Sequence, residues 1–121
     1  MEYRKIGDNY YVRMDRGDEI ISTLLEICEK ESIPSAVFSG IGGCESALFH
    51  HTHALFSFKG GNRDVDNIVG GYQDGQHGMA GGHLKATTVL YTAEIELRPT
   101  IGGAIGRKFD PETGTGFWDF K

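Results

Sequence analysis

The run Asn9 to Met14, with two tyrosines and a valine, predicts a strand near the start of the chain. Gly17 and Asp18 then punctuate, and Asp18 is placed to N-cap a helix, with Glu19 in its first turn on the favourable end of the dipole. From Ile20 the apolar residues Ile20, Ile21, Leu24, Leu25, Ile27 and Cys28 fall at helical spacing, and Glu26, Glu29 and Lys30 occupy the wet face. Pro34 blocks continuation, so the helix is predicted to end near Ser32. It is the one long helix that the pattern predicts.

Beyond it, Ser35 to Ser39 is a short apolar strand running into Gly40-Ile41-Gly42-Gly43, which reads as a tight bend with close backbone packing. From Cys44 to Phe58 the sequence alternates: Ala47, Phe49, His51, His53 and Leu55 share one parity, and Leu48, His50, Thr52, Ala54, Phe56 and Phe58 the other. Gly60 to Gly82, punctuated by three glycine pairs, reads as a long functional or mobile loop. His83 to Arg98, rich in Thr, Val, Tyr and Ile, predicts a second long strand. Arg107 to Phe109 leads into a turn at Asp110-Pro111-Glu112-Thr113-Gly114. The pattern as a whole predicts an α+β fold, a mainly antiparallel β-sheet flanked by one long helix, in a single domain over residues 1–121.

Five histidines, at 50, 51, 53, 77 and 83, carry the candidate chemistry. On one strand His51 and His53 point to the same face, about 6.6 Å apart at ~3.3 Å per residue. His83 opens the next long strand, after Gly81-Gly82, and supplies a third imidazole from a neighbouring strand or another subunit. Three neutral imidazoles suit a divalent metal, zinc above all, and leave a fourth position open. The alternative is that these are polar strand residues facing solvent or satisfying hydrogen bonds. His50 has the opposite parity and is left out; His77 is at best auxiliary.

Composition narrows the class. Hydrophobic residues make up 39% and charged residues 24%, as in an ordinary globular protein, and no stretch approaches the length of a bilayer span. The N-terminal residues lack a signal-peptide apolar region and the two cysteines cannot form a disulfide framework, so a cytoplasmic location is expected. A net charge of −5 argues against direct phosphate binding to nucleic acid. Cys28 and Cys44 read as packing residues, and Glu94 and Glu96 as the wet face of a strand. Asp64-Val65-Asp66-Asn67 fails as a calcium loop at Ile68 and Val69. Arg13, Asp15, Arg16 and Asp18 form a mixed-charge corner, which Arg98, Arg107 and Lys108 either pair with or complete as an anion pocket.

Six segments in order resemble the plants-and-prokaryotes-conserved (PPC) domain family, whose members are often called DNA-binding. They are Arg13-Met-Asp-Arg-Gly-Asp-Glu19, Ser39-Gly-Ile-Gly-Gly-Cys44, His51-Thr-His53-Ala54, Gly81-Gly-His83-Leu84, Thr92-Ala-Glu-Ile95 and Arg107-Lys-Phe-Asp-Pro-Glu-Thr-Gly114. The resemblance implies a mostly antiparallel sheet with flanking helices, a homotrimer, and a metal site at His51, His53 and His83 near the subunit interface. The connection at 48–50 is shorter than the family's, and the stretch 59–80 longer. Plant relatives reach A·T-rich minor groove through an Arg-Gly-Arg-Pro-type hook outside this domain, a motif that this chain lacks.

Three functions follow as expectations. The first is a trimeric metal-binding interaction or regulatory module with a possible protein partner and no membrane or direct DNA contact. The second is a small zinc-dependent hydrolase or lyase, with Glu94 or Glu96 as general base. The third is a DNA-associated regulator acting with a partner.

Overall fold

A computed structural model describes residues 1–51, 54–59, 64–66, 71–73, 76–78 and 83–120. The chain runs β1 (Glu2–Ile6), β2 (Asn9–Asp15), α1 (Ile20–Lys30), β3 (Ala36–His51), β4 (Ala54–Lys59), β5 (Asp64–Asp66), β6 (Gly71–Gln73), β7 (Gln76–Gly78), β8 (His83–Pro99), β9 (Gly106–Asp110) and β10 (Thr115–Asp119). The main sheet has the order β1-β2-β8-β3-β4, with β5 also paired to β3, and every pairing is antiparallel. Two hairpins, β9-β10 and β6-β7, form small sheets of their own.

Strand β1 escaped the sequence pattern because its residues, Glu-Tyr-Arg-Lys-Ile, are nearly all exposed and show no apolar alternation. Charged side chains suit an edge strand, where they discourage pairing with other chains. Gly7, at φ +62°, turns β1 into β2 so that Ile6 stands opposite Asn9. In β2 the alternation is clear: Tyr10, Val12 and Met14 are buried while Tyr11, Arg13 and Asp15 are exposed.

The helix has eleven residues, three turns, and so is shorter than the expected long element. Its N-cap is Glu19 and not Asp18, because the Asp18 carboxylate already accepts from the Asp15 N–H at 2.8 Å. Glu19 accepts from the N–H groups of Ile21 and Ser22 at 3.1 and 2.7 Å. At the other end Ser32 takes the left-handed conformation, φ +54°, while the Ser32 N–H donates to Glu29 O and the Ile33 N–H to Cys28 O. That pair of bonds is a Schellman cap, and Pro34 prevents any continuation.

Tyr10, Val12 and Met14 of β2, Leu24 and Ile27 of α1, and Val89, Ala93, Ile95 and Leu97 of β8 form the core. Burying each large apolar side chain contributes about 1.5–3 kcal/mol before entropy is counted.

Gly40 to Gly43 is not a bend. Strand β3 continues through it, with a register shift against β8 between Gly42 and Cys44, and none of these glycines has a positive φ. The glycines serve close approach instead: a Cβ on Gly42 would lie 2.5 Å from Thr92 O and 2.8 Å from Ala93 Cα. A Cβ on Gly40 would collide with Glu94 O and Ile95 in the same way.

The alternation expected from Cys44 to Phe58 is divided between two paired strands, β3 ending at His51 and β4 beginning at Ala54, with those two residues opposite each other. The stretch expected as a loop, Gly60 to Gly82, contains β5, β6 and β7. Strand β5 fills the place beside β3, pairing Asp64, Val65 and Asp66 with Gly43, Gly42 and Ile41. Asn67-Ile68-Val69 lies outside the described residues.

Candidate functional site

His50, His51 and His83 lie where the two longest strands meet. His83 is the first residue of β8 and His50 and His51 are the last two of β3. The pairing sets His50 opposite His83. Between Leu48, opposite Ala86, and Phe49, opposite Leu84, the ladder slips by one residue, so Lys85 is an extra residue on β8. Without that bulge His51 would stand opposite His83. The sequence pattern passed over His50, and only the bulge makes it the register partner of His83. His53 lies outside the described residues, and His77, in β7, is paired opposite Tyr72. The single strand expected to carry both His51 and His53 ends, as β3, at His51. Among the described residues no group of three or more His, Cys, Asp or Glu side chains is placed to hold a metal ion.

Glu94 and Glu96 are remote from the histidine end along the strand. His83 and Glu94 are eleven positions apart on β8, roughly 36 Å at the usual strand rise. Their neighbours are polar and local: Glu94 stands opposite Arg13, and Glu96 accepts from Asn9 Nδ2 at 3.2 Å. The charged corner is satisfied internally. Arg13 lies 3.1 Å from Glu2 and 3.5 Å from Asp15, and the N-terminal ammonium lies 2.6 Å from Asp15 and 3.3 Å from Asp18. The hydrogen bond from that ammonium holds the Asp15 carboxyl below its ordinary value. Arg98 pairs with Glu96 of its own strand at 4.0 Å, and Arg107 donates to Gly116 O within the β9-β10 hairpin.

Glu19 is a tie that the sequence did not announce. Besides capping α1, its carboxylate accepts from the Thr87 N–H at 2.7 Å, locking the helix start to β8. Burial alone would raise its pKa, but the backbone donors at Ser22, Thr87 and Ile21 outweigh it and hold the group below its ordinary value. Cys28 and Cys44 are not in a disulfide; Cys44 is buried, and partial burial pushes the Cys28 thiol up.

Among the described residues no helix is long and apolar enough to cross a membrane.

The chain is similar in fold to several solved structures. A candidate DNA-binding protein from Bacteroides thetaiotaomicron is 21% identical with a TM-score of 0.82, covering 98% of this chain and 96% of that one. A metal-containing protein from Archaeoglobus fulgidus is 22% identical with a TM-score of 0.69, covering 97% and 96%. A plant- and prokaryote-conserved protein from Pyrococcus horikoshii is 24% identical with a TM-score of 0.70, covering 98% and 94%. No curated protein matches the chain. The model of the Plants and Prokaryotes Conserved (PCC) domain matches residues 1–100. With its antiparallel sheet, its one capped helix and that match over most of its length, the chain belongs to the plants-and-prokaryotes-conserved domain family.

Proposed function

We propose that the chain acts as an oligomeric, metal-binding interaction or regulatory module of the cytoplasm, a homotrimer with His51, His53 and His83 as ligands of a divalent metal. The observation that supports this reading is the β3-β8 register, which brings the end of β3 to the start of β8 at His83; because His50 is the residue opposite His83 there, His51 and His83 would meet at the strand ends or between subunits and not as a cross-strand pair. Imidazole donors on adjoining strand ends suit zinc, which accepts three nitrogens and keeps a further position for water or a partner's group. The metal-containing neighbour from Archaeoglobus fulgidus adds support by likeness of fold. Assembly is supported by apolar side chains left on the surface: Ile41 on β3 is 65% exposed, and Phe109, Phe117, Trp118 and Phe120 crowd the C-terminal hairpin and its end, all exposed.

The test is metal content per chain together with native mass, for wild type and His51→Ala/His83→Ala. About one metal per chain, or one per trimer, lost in the double variant, is the expected outcome. A metal-free protein that takes up no added Zn²⁺ would overturn the metal site, and a monomeric native mass the trimer.

A second reading, a DNA-associated regulator acting with a protein partner, is favoured by the description of the Bacteroides thetaiotaomicron neighbour. Against direct contact stands the net charge of −5. DNA retention that falls steeply with added salt supports this reading; no retention at low salt, with or without cell extract, ends it.

A further inference from the structure

Strand β9 follows β8 through residues 100–105, and both ends of that connection are pinned to Ser35. Its hydroxyl donates to Thr100 Oγ1 at 2.9 Å and accepts from the Ile105 N–H at 3.0 Å. Beyond this root the β9-β10 hairpin stands by itself. Among the described residues no other helix or strand makes more than marginal contact with it. A lone two-stranded ribbon is barely stable in water, because it has no core to bury.

This ribbon is nevertheless rich in aromatic side chains. Phe109 pairs opposite Gly116 and Arg107 opposite Trp118, so alternation places Phe109, Trp118 and Phe120 on one face. They are 67%, 58% and 77% exposed, although Trp118 and Phe120 meet edge to face at 6.0 Å. At about 150–250 Å² for a whole aromatic residue, the three leave roughly 400 Å² uncovered. That is about half of the ~800 Å² that one partner brings to a standard interface.

The main sheet offers a matching surface. Helix α1 packs on one of its faces, over the core. On the opposite face the register sets Ile6 beside Asn9, Tyr11 beside Glu96 and Val37 beside Arg98. Ile6, Tyr11 and Val37 are all exposed. The charged residues among them, Glu96 and Arg98, pair with each other at 4.0 Å and so add little net charge.

We infer that the β9-β10 hairpin is an assembly arm that lies, aromatic face down, across this open sheet face of a second copy of the chain. The inference rests on the oligomeric reading above and names its two surfaces. Cover for an otherwise unstable ribbon has to be permanent, and permanent interfaces are the strongly apolar ones. Another copy is the partner that is present wherever the chain is. An arm on one surface and its seat on another make a head-to-tail contact, which closes into a ring such as a trimer.

Trp118 is the single tryptophan of the chain, so its fluorescence reads the arm directly in the wild type. Where the native mass is that of the assembly, its emission is expected at short wavelength, as for a buried indole. It should shift to the red in step with dissociation on dilution. Phe109→Glu/Phe120→Glu keeps the reporter and spoils the arm; Tyr11→Glu/Val37→Glu spoils the seat. Each is expected to lose assembly and to show the native mass of a single chain. Mixed together, they retain one sound arm and one sound seat and should form a species of two chains. Leu25→Glu, at an exposed apolar position of α1, should keep the wild-type mass.

Solvent-exposed Trp118 emission in an assembled wild type would overturn the inference and leave the assembly standing, and this measurement needs no variant to fold. An arm or seat variant that keeps the wild-type mass would do the same. So would a mixture without a two-chain species, which would point to hairpin meeting hairpin or to a different protein as the cover. A wild type that stays monomeric at every concentration would overturn the assembly itself.

Discussion

His83 stands opposite His50, and not opposite His51, in the ladder between β3 and β8. The cause is the extra residue Lys85, which shifts the pairing after Leu48 by one position and exchanges the parity of everything beyond it. Directly opposed residues in an antiparallel pair have Cα atoms about 4.5–5.5 Å apart, within disulfide range. In a background with Cys28→Ala and Cys44→Ala, the pair His50→Cys/His83→Cys is therefore expected to form a disulfide under mild oxidation. The pair His51→Cys/His83→Cys is expected to stay reduced. Non-reducing mass spectrometry reads the result, and the reverse pattern would restore the regular register.

Glu19 holds three backbone N–H groups, two in α1 and one on β8. Glu19→Ala is expected to destabilise the protein by about 2 kcal/mol, the loss of a cap together with an orphaned Thr87 donor. The backbone donors hold its carboxyl below the ordinary carboxylate value in the folded protein. The stabilisation is therefore complete above the unfolded-state pKa and is lost as the pH falls through the lower folded value. Urea denaturation should show the gap between wild type and Glu19→Ala closing on acidification; a gap independent of pH would refute the charge-assisted cap.

Ser32 occupies the left-handed position that ends α1. Glycine adopts that conformation without a Cβ penalty, so Ser32→Gly is expected to raise stability by about 0.5–1 kcal/mol. A thermal midpoint lower than that of the wild type would count against the Schellman geometry.

Gly42 admits no side chain, because its neighbours at Thr92 and Ala93 are backbone and a core methyl that cannot move aside. Gly42→Ala is expected to cost about 2–3 kcal/mol through overpacking. The control is Gly103→Ala, where a Cβ would meet nothing within 4 Å, and it should lie within about 0.5 kcal/mol of the wild type.

Much of this architecture is legible in residues a few positions apart. The helical spacing from Ile20 to Cys28, its stop before Pro34, the alternating β2 and the long β8 all follow from local period and backbone preference. So does the turn at Asp110 to Gly114, where the Asp110 carboxylate accepts from the Glu112 and Thr113 N–H groups. The histidine-rich ends of β3 and β8 were visible as residue types too, and the order of motifs was enough to indicate the family.

Tertiary structure decided the rest, because each remaining feature depends on a pairing or contact that the segment's own pattern does not contain. Strand β1 is a strand because β2 pairs with it, not because of its own pattern. The glycines of β3 read as a bend until β8 lay against them and turned them into points of close approach. Asp18 is the better cap on paper, and the role fell to Glu19 once β8 offered the Thr87 N–H and the chain start engaged Asp18. The pairing of His50 with His83 follows from a bulge whose position is set by the packing of two long strands against each other, which neither strand's sequence specifies alone.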